Sequence, residues 1–234
     1  MTAAFPLILS GVQVRRQGKT VLGPVDLTLC ANGTTIIVGP NGSGKTTLLR
    51  VMHGIERIRV GDVVWENVDP AKHAFVFQTP IMLRRSVAEN LAYPLMLLKT
   101  PKDQIDMAVD HWLGQIGLES SRGAQATRLS GGERQKLAIA RALIRKPDVL
   151  FLDEPSANLD GHATREIEEL LQEVANAGTR LVMATHDMGQ ARRLANDVVF
   201  LLNGRVHEYG PVEPLFTTPS TLELMAFLRG DIVS

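Results

Sequence analysis

The pattern of hydrophobic and polar positions divides the chain into three stretches. From Leu7 to Arg15 and from Val21 to Leu29, β-forming residues alternate with polar ones, and Thr34–Val38 is a short, largely apolar run. Alternation with a period of two predicts strands with one buried face, and an unbroken run predicts a strand covered on both faces. A helix is predicted over Lys45–His53, followed by short strands at Val63–Trp65 and Ala74–Phe77. The middle changes character. Ser86–Leu98, Asp103–Ile116 and Gly131–Ile144 carry helical spacing, with breaks at Pro101 and Gly117. From Val149 onward strand and helix alternate: strand Val149–Leu152, a helix to Ala175, strand Leu181–Ala184, a helix to Leu194, strand Val198–Leu202. That alternation marks a parallel sheet with crossover helices. The expected fold is a single α/β domain with a mostly parallel sheet and an N-terminal antiparallel β subdomain. Residues 1–85 and 146–234 would form its core, and an α-helical lobe would be inserted at about 86–145.

Composition narrows the class. At 234 residues, 44% hydrophobic and 21% charged, the chain can bury one large core. Its formal net charge is zero and no basic stripe appears, so nucleic acid is not an expected partner. The lone Cys30 has no internal disulfide partner, which fits a reducing compartment. The longest greasy stretch, Leu91–Leu98, is far shorter than the roughly 20 residues of a membrane helix. Met1–Ser10 lacks the positive n-region of a signal peptide. Work at a membrane would therefore go through a membrane-spanning partner.

The strongest local signal is Gly39-Pro40-Asn41-Gly42-Ser43-Gly44-Lys45-Thr46, with Thr47 after it, between a buried strand and a helix. Glycines let backbone N–H groups close around phosphate oxygens, and the helix start adds its dipole. Lys45 then reaches the β- and γ-phosphates of ATP, and the Thr46 hydroxyl is offered to Mg²⁺. The run Val149–Leu152 leads directly into Asp153-Glu154. Two carboxylates at the end of a buried strand are costly unless they have partners or a task. In a phosphate-loop enzyme the first holds Mg²⁺ and the second polarises the attacking water. Gly39, Gln78, Asp153 and His186 each follow an apolar strand: Ile36–Val38, Phe75–Phe77, Val149–Leu152 and Leu181–Ala184. Singly, Gln78 and His186 read as ordinary loop residues. As a set they converge at the carboxyl edge of a parallel sheet, where ligands bind.

Leu129-Ser130-Gly131-Gly132-Glu133 has two readings. As a capping box it explains Ser130 and Glu133 but leaves the glycines, each costing up to ~1 kcal/mol relative to alanine inside a helix. As a second phosphate-binding surface it explains the glycines too, because an anion must approach the first-turn N–H groups closely. One chain would then hold two such surfaces but only one carboxylate pair. A dimer resolves the mismatch, each nucleotide lying between the loop of one subunit and Ser130, Gly131 and Gly132 of the other.

These residues resemble those of the ATP-binding cassette (ABC) ATPases over nearly the whole chain. In that family's terms Gly39–Thr46 is similar to Walker A, Gln78 to the Q-loop and Leu129–Glu133 to the signature motif. Val149–Glu154 is similar to Walker B, Ser156–Asp160 to the D-loop and His186 to the switch histidine. The resemblance implies catalysis by Glu154, His186, Gln78 and Lys45, with Thr46, Gln78 and Asp153 around Mg²⁺. It implies two ATP-binding domains, a second copy or a paralogue, closing on ATP and reopening after hydrolysis. That cycle would drive transmembrane permease subunits from the cytoplasmic face of the membrane, with a substrate-binding protein as indirect partner. The stretch Val76–Leu91 and the tail with Gly210-Pro211, Phe216 and Phe227–Asp231 are similar to ATPases of tungstate-type oxyanion importers, then of phosphate importers. One departure is visible. Where the family places an adenine-stacking aromatic before a glycine, this chain has Arg15-Arg16-Gln17-Gly18, so strong discrimination between adenine and guanine is not expected. The guanidinium plane of Arg16 is the only nearby substitute, against a plain surface charge. His53, His73, His111, His162 and His207 show no metal-ligand spacing.

Overall fold

Thr34–Val38 is buried from end to end, and it forms an inner strand of the main sheet. The computed structural model describes residues 6–29, 33–66 and 69–231. Met1–Phe5 and Cys30, to which two of the sequence expectations refer, lie outside them. In chain order the elements are β1 (Leu7–Arg16), β2 (Lys19–Leu29), β3 (Thr34–Val38), α1 (Lys45–His53), β4 (Val60–Trp65) and β5 (His73–Val76). Three helices follow: α2 (Val87–Leu97), α3 (Lys102–Gln115) and α4 (Gly131–Leu143). The last third holds β6 (Val149–Asp153), α5 (Gly161–Asn176), β7 (Arg180–Ala184), α6 (Met188–Leu194) and β8 (Asp197–Leu202). It closes with β9 (Arg205–Pro211), α7 (Val212–Thr217) and α8 (Leu222–Arg229).

Two sheets result. One is antiparallel, in the order β2-β1-β4, and the other runs β5-β6-β7-β3-β8-β9 with only β9 antiparallel. Strand side chains alternate between opposite faces, and the main sheet uses this to fill two cores. Ile36, Val38, Leu150, Leu152, Met183 and Phe200 join the core built with α2–α6. Their neighbours Ile37, Val149, Phe151, Val182 and Leu201 join the other, built with α1 and the antiparallel sheet. Burial on both faces is why these strands read as unbroken apolar runs. Among the described residues, no helix is long and apolar enough to cross a membrane.

Two expectations need correction. β5 ends at Val76, so Phe77 leaves the sheet and Gln78 stands two residues past the strand; likewise Asp153 is the last residue of β6 rather than the first beyond it. β9, α7 and α8 had no predicted counterpart. Arg205–Pro211 mixes charge, Gly and Pro and lacks a clean alternation, but its pairing with β8 turns on Asn203-Gly204 at φ 50° and 73°. Asn-Gly is a strong signal for a two-residue hairpin.

Where the two sheets meet, His53 and His73 pack with Trp65, Phe75 and Phe151 at ring separations of 5.2–5.7 Å. Burial, with the neighbouring His73 adding to it, lowers the His53 pKa to about 4, and burial lowers that of His73 as well. Both therefore fold neutral. The unfolded chain binds more protons below the ordinary histidine value near 6.5, so stability is full above it and falls as pH drops toward 4. Denaturant unfolding at pH 7.5, 6 and 5 should show this decline, and His53→Phe should flatten it.

Candidate active site

The phosphate-loop candidate folds as a turn between β3 and α1. Gly39 has φ +152°, and a methyl group there would lie 2.0 Å from the Leu201 carbonyl oxygen, so a side chain is excluded by β8. Ser43 N–H donates to the Pro40 carbonyl at 3.2 Å, and Ser43 Oγ is buried without a partner. Gly44 starts α1 in the left-handed region, and no side chain caps that helix start. An uncapped helix N-terminus beneath glycines is suited to an anion.

Lys45 folds back over its own loop. Its side chain is 6% exposed, and the ammonium donates to the carbonyls of Gly39 at 2.9 Å and Pro40 at 3.2 Å. Glu154 Oε1 stands 3.9 Å away. Burial lowers the Lys45 pKa, and the charges of Glu154 and Asp153 oppose that shift. Asp153, 3% exposed, accepts the Thr46 hydroxyl at 2.9 Å. Burial raises its pKa; the Thr46 hydrogen bond, Arg50 and Lys45 pull the other way.

Glu154 divides its two oxygens between partners. Oε1 faces Lys45, while Oε2 accepts from Gln78 Nε2 at 3.2 Å and lies 3.1 Å from His186 Nδ1. Its backbone is left-handed, φ +47°, a state costing about 1–3 kcal/mol for a residue with a side chain. The N–H donating to the Ala184 carbonyl at 2.9 Å holds it there.

One cleft of about 590 Å³ is lined by Asn41, Gly42, Gly44, Lys45, Thr46 and Thr47 from the loop and by Gln78, Glu154 and His186 from three other strand ends. Gly39, Pro40, Ser43 and Asp153 support it from below or beside it. Its wall includes Arg16 and Val21 and, among the described residues, no Phe, Tyr or Trp. Arg16, on the cleft wall, donates to Glu56 at 2.6 Å, and its side chain is 49% exposed. Oxygen donors suit a hard cation such as Mg²⁺. Thr46 Oγ1 and Asp153 Oδ1 meet at 2.9 Å, and Gln78, donating through nitrogen, keeps its amide oxygen; these residues fit. No group of three His, Cys, Asp or Glu able to hold a metal occurs among the described residues.

Ser130, Gly131 and Gly132 lie elsewhere. With Leu159, Asp160 and Ala163 they line a separate groove of about 240 Å³, and Asn158 borders both spaces. Ser130 and Glu133 form the expected capping box, Ser130 N–H to Glu133 Oε2 at 2.8 Å and Glu133 N–H to Ser130 Oγ at 3.3 Å. The two glycines differ in their surroundings. A methyl on Gly132 would sit 2.9 Å from the Ala163 methyl, so packing against α5 explains that glycine. A methyl on Gly131 would meet only Leu159 at 3.5 Å, an ordinary contact.

Several supporting residues gave no local signal. Asn90, fully buried on α2, accepts from Leu83 N–H at 3.0 Å and donates to the Leu83 and Ser86 carbonyls at 3.2 and 2.9 Å. Arg141 on α4 donates to Asn90 at 3.0 Å and to the Ile81 carbonyl at 2.6 Å. Together they fix the segment that carries Gln78 into α2. Gln190, Glu168 and Arg193 do similar service behind Ser156.

Comparison with known proteins agrees with this arrangement. A family model described as "ABC transporter" matches residues 22–157. The chain is 40% identical over 207 residues to the tungstate uptake system ATP-binding protein TupC of Peptoclostridium acidaminophilum, covering 86% of this chain and 97% of that protein. It is 34% identical to the phosphate import ATP-binding protein PstB 2 of Natronomonas pharaonis, over 97% of this chain and 87% of that one. With the nickel import ATP-binding protein NikO of Rhodobacter capsulatus the identity is 35%, over 98% of each. The solved structure of cbiO1 from Clostridium perfringens, described as part of the ABC transporter complex cbiONQ, superposes with a TM-score of 0.83. It is 28% identical, over 97% of this chain and 96% of that one.

The two glycines should separate in a stability measurement. Gly132→Ala should be less stable than Gly131→Ala by about 1–3 kcal/mol, the usual cost of overpacking. Thermal unfolding of both variants reads the difference.

Proposed function

The chain belongs to the ABC transporter family and is an ATPase of it, and from that premise we propose that it is the ATP-hydrolysing subunit of an importer, working with a second copy of itself. The observation that carries the catalytic assignment is Glu154. Its carboxylate is held by Gln78 at 3.2 Å and His186 at 3.1 Å, above the loop that contains Lys45 and Thr46. In this reading Lys45 leaves the Gly39 and Pro40 carbonyls for the β- and γ-phosphates, and N–H groups at the start of α1 take phosphate oxygens. Glu154 orients and polarises the attacking water; His186 and Gln78 hold the carboxylate and sense the γ-phosphate. Thr46, Asp153 and Gln78 would hold Mg²⁺, which neutralises charge on the phosphates.

The dimer reading is supported by the separation of the two surfaces. Ser130 and Gly131 do not line the cleft of Lys45, so one chain leaves the outer side of its nucleotide open. A second copy in head-to-tail register would cover it with Ser130 and Gly131, with Asn158 between.

The membrane partner is read from a third surface. A groove of about 720 Å³ between β5, α2 and α4 is walled by apolar side chains including Phe77, Tyr93 and Leu97, and Ile81 beside it is 72% exposed. Isolated exposed apolar residues are ordinary, but a contiguous apolar groove marks a binding surface. Its proposed occupant is a cytoplasmic segment of the permease, which would place this chain at the membrane as a peripheral subunit. For cargo, the 40% identity to a tungstate uptake protein supports an oxyanion of that class, delivered by a binding protein.

Two substitutions test the catalytic assignment. Glu154→Gln should bind ATP normally while turnover falls by at least about a hundredfold; near-normal hydrolysis would remove Glu154 from its role. Lys45→Ala should weaken nucleotide binding itself. Equilibrium binding and steady-state ATPase on the same preparations separate the two.

A further inference from the structure

Gln190 lies on α6, four residues past His186, and has no exposed surface. Its Nε2 donates to Ser156 Oγ at 2.8 Å and to Glu168 Oε1 at 3.3 Å. Glu168, on α5 and 5% exposed, accepts Arg193 through both oxygens at 2.7 Å. The backbone N–H of Gln190 donates to Asp187 Oδ1 at 3.0 Å, and Asp187 caps the helix directly after His186. One amide thus touches the helix that follows His186, the loop that leaves Glu154, and α5.

Packing alone does not call for this residue. Gln190 Oε1 is buried without a hydrogen-bond partner. An apolar side chain of similar size would fill the space and remove that unmatched oxygen, losing only the donor to Ser156 and Glu168. The amide gains its purpose from Ser156. Glu154 occupies a strained backbone conformation, and such a conformation persists only where its surroundings over-determine it. Upstream the restraint is the Glu154 N–H bound to the Ala184 carbonyl. Downstream it is the turn in which Ala157 N–H meets the Glu154 carbonyl at 3.1 Å and Leu159 N–H meets that of Ser156 at 3.2 Å. Gln190 grips that turn by its side.

We infer that Gln190 is a positioning residue for hydrolysis. By holding Ser156 it sets the loop after Glu154 against the helix after His186, which keeps the carboxylate and the imidazole within hydrogen-bond reach. The same loop runs on through Asn158, at the nucleotide cleft, to Leu159 and Asp160 at the Ser130 groove. Gln190 therefore stiffens the connection between the two surfaces as well. The inference rests on the assignment of Glu154 and His186 above, and it adds a residue that contacts neither substrate nor water.

The test uses the full chain with Gln190→Leu, Ser156→Ala and the pair, measuring kcat, KM and thermal unfolding. Gln190→Leu should lower kcat at least about tenfold with KM within about threefold of the parent, a pattern of lost transition-state geometry rather than lost binding. Ser156→Ala should lower kcat as well, and the pair should be little worse than Gln190→Leu alone, because both changes break one contact. Folded Gln190→Leu with parental kcat and only a lower Tm would overturn the inference, as would fully additive losses in the pair. Should Gln190→Leu fail to fold, Ser156→Ala decides: unchanged kcat overturns, and a several-fold fall with steady KM supports. Glu154→Gln in the same assay keeps the two readings apart. Loss of turnover there with none in Gln190→Leu defeats the positioning role alone, whereas turnover surviving Glu154→Gln defeats the catalytic assignment beneath it.

Discussion

Lys45, its side chain 6% exposed, stands beside Asp153 and Glu154, and a charge so buried is kept only with partners of opposite sign. Burial pushes the Lys45 pKa down and the Asp153 pKa up, both toward neutral forms, and each is opposed by the other's charge. That mutual support places a cation under the phosphate loop and anions at the end of β6. The sheet makes it possible. β3 and β6 are buried on both faces by the two cores, with β7 between them, so the strand ends are rigid points at which charge can be set down. Lys45 is bound to two carbonyls of its own loop, which in the proposed reading it exchanges for phosphate oxygens. Donors fixed in advance, in a site poor in water, stabilise developing charge more effectively than mobile ones.

In the proposed reading the same arrangement leaves one side of the site to a second chain. The loop of Lys45 and the start of α4, both assigned there to phosphate, line different spaces on one chain. The segment from Ser156 to Asp160 connects them and is held from behind by Gln190. A second chain would close both spaces together, and the apolar groove between β5, α2 and α4 remains free for a membrane partner. Asn90 and Arg141 join these functions physically. They pin the stretch between Gln78, at the cleft of Lys45, and α2, which forms one wall of that groove. In the proposed reading, this stretch is the physical link between the two.

Most of the fold was legible because its strands are either alternating or apolar throughout, and because the phosphate loop carries its chemistry in consecutive residues. β3 and α1 came out with the predicted bounds. β9, α7 and α8 were missed: β9 is short and mixed in composition and owes its form to β8, although Asn203-Gly204 was a usable hairpin signal. In the site, Lys45, Asp153 and Glu154 were readable from local pattern, and Gln78 and His186 from their positions after strands. Gln190 was not, since its partner Ser156 lies 34 residues away and nothing local marks the contact. The packing demand for glycine at 132 was hidden for a related reason. The methyl group that excludes a side chain there belongs to Ala163, on another helix.

The central claim is that Ser130 completes the site of a second chain. The direct measurement is ATPase rate against mixing ratio for two variants, Lys45→Ala and Ser130→Arg, each inactive alone. In a mixed dimer, action across the interface confines both lesions to one composite site and leaves the other whole. Activity should then reappear on mixing, peaking near equal amounts at about a quarter of the parental rate if chains pair at random and sites fire independently. Flat, background rates at every ratio, in samples where the mixed dimer is demonstrated and a linked dimer with one damaged site is active, would contradict the account.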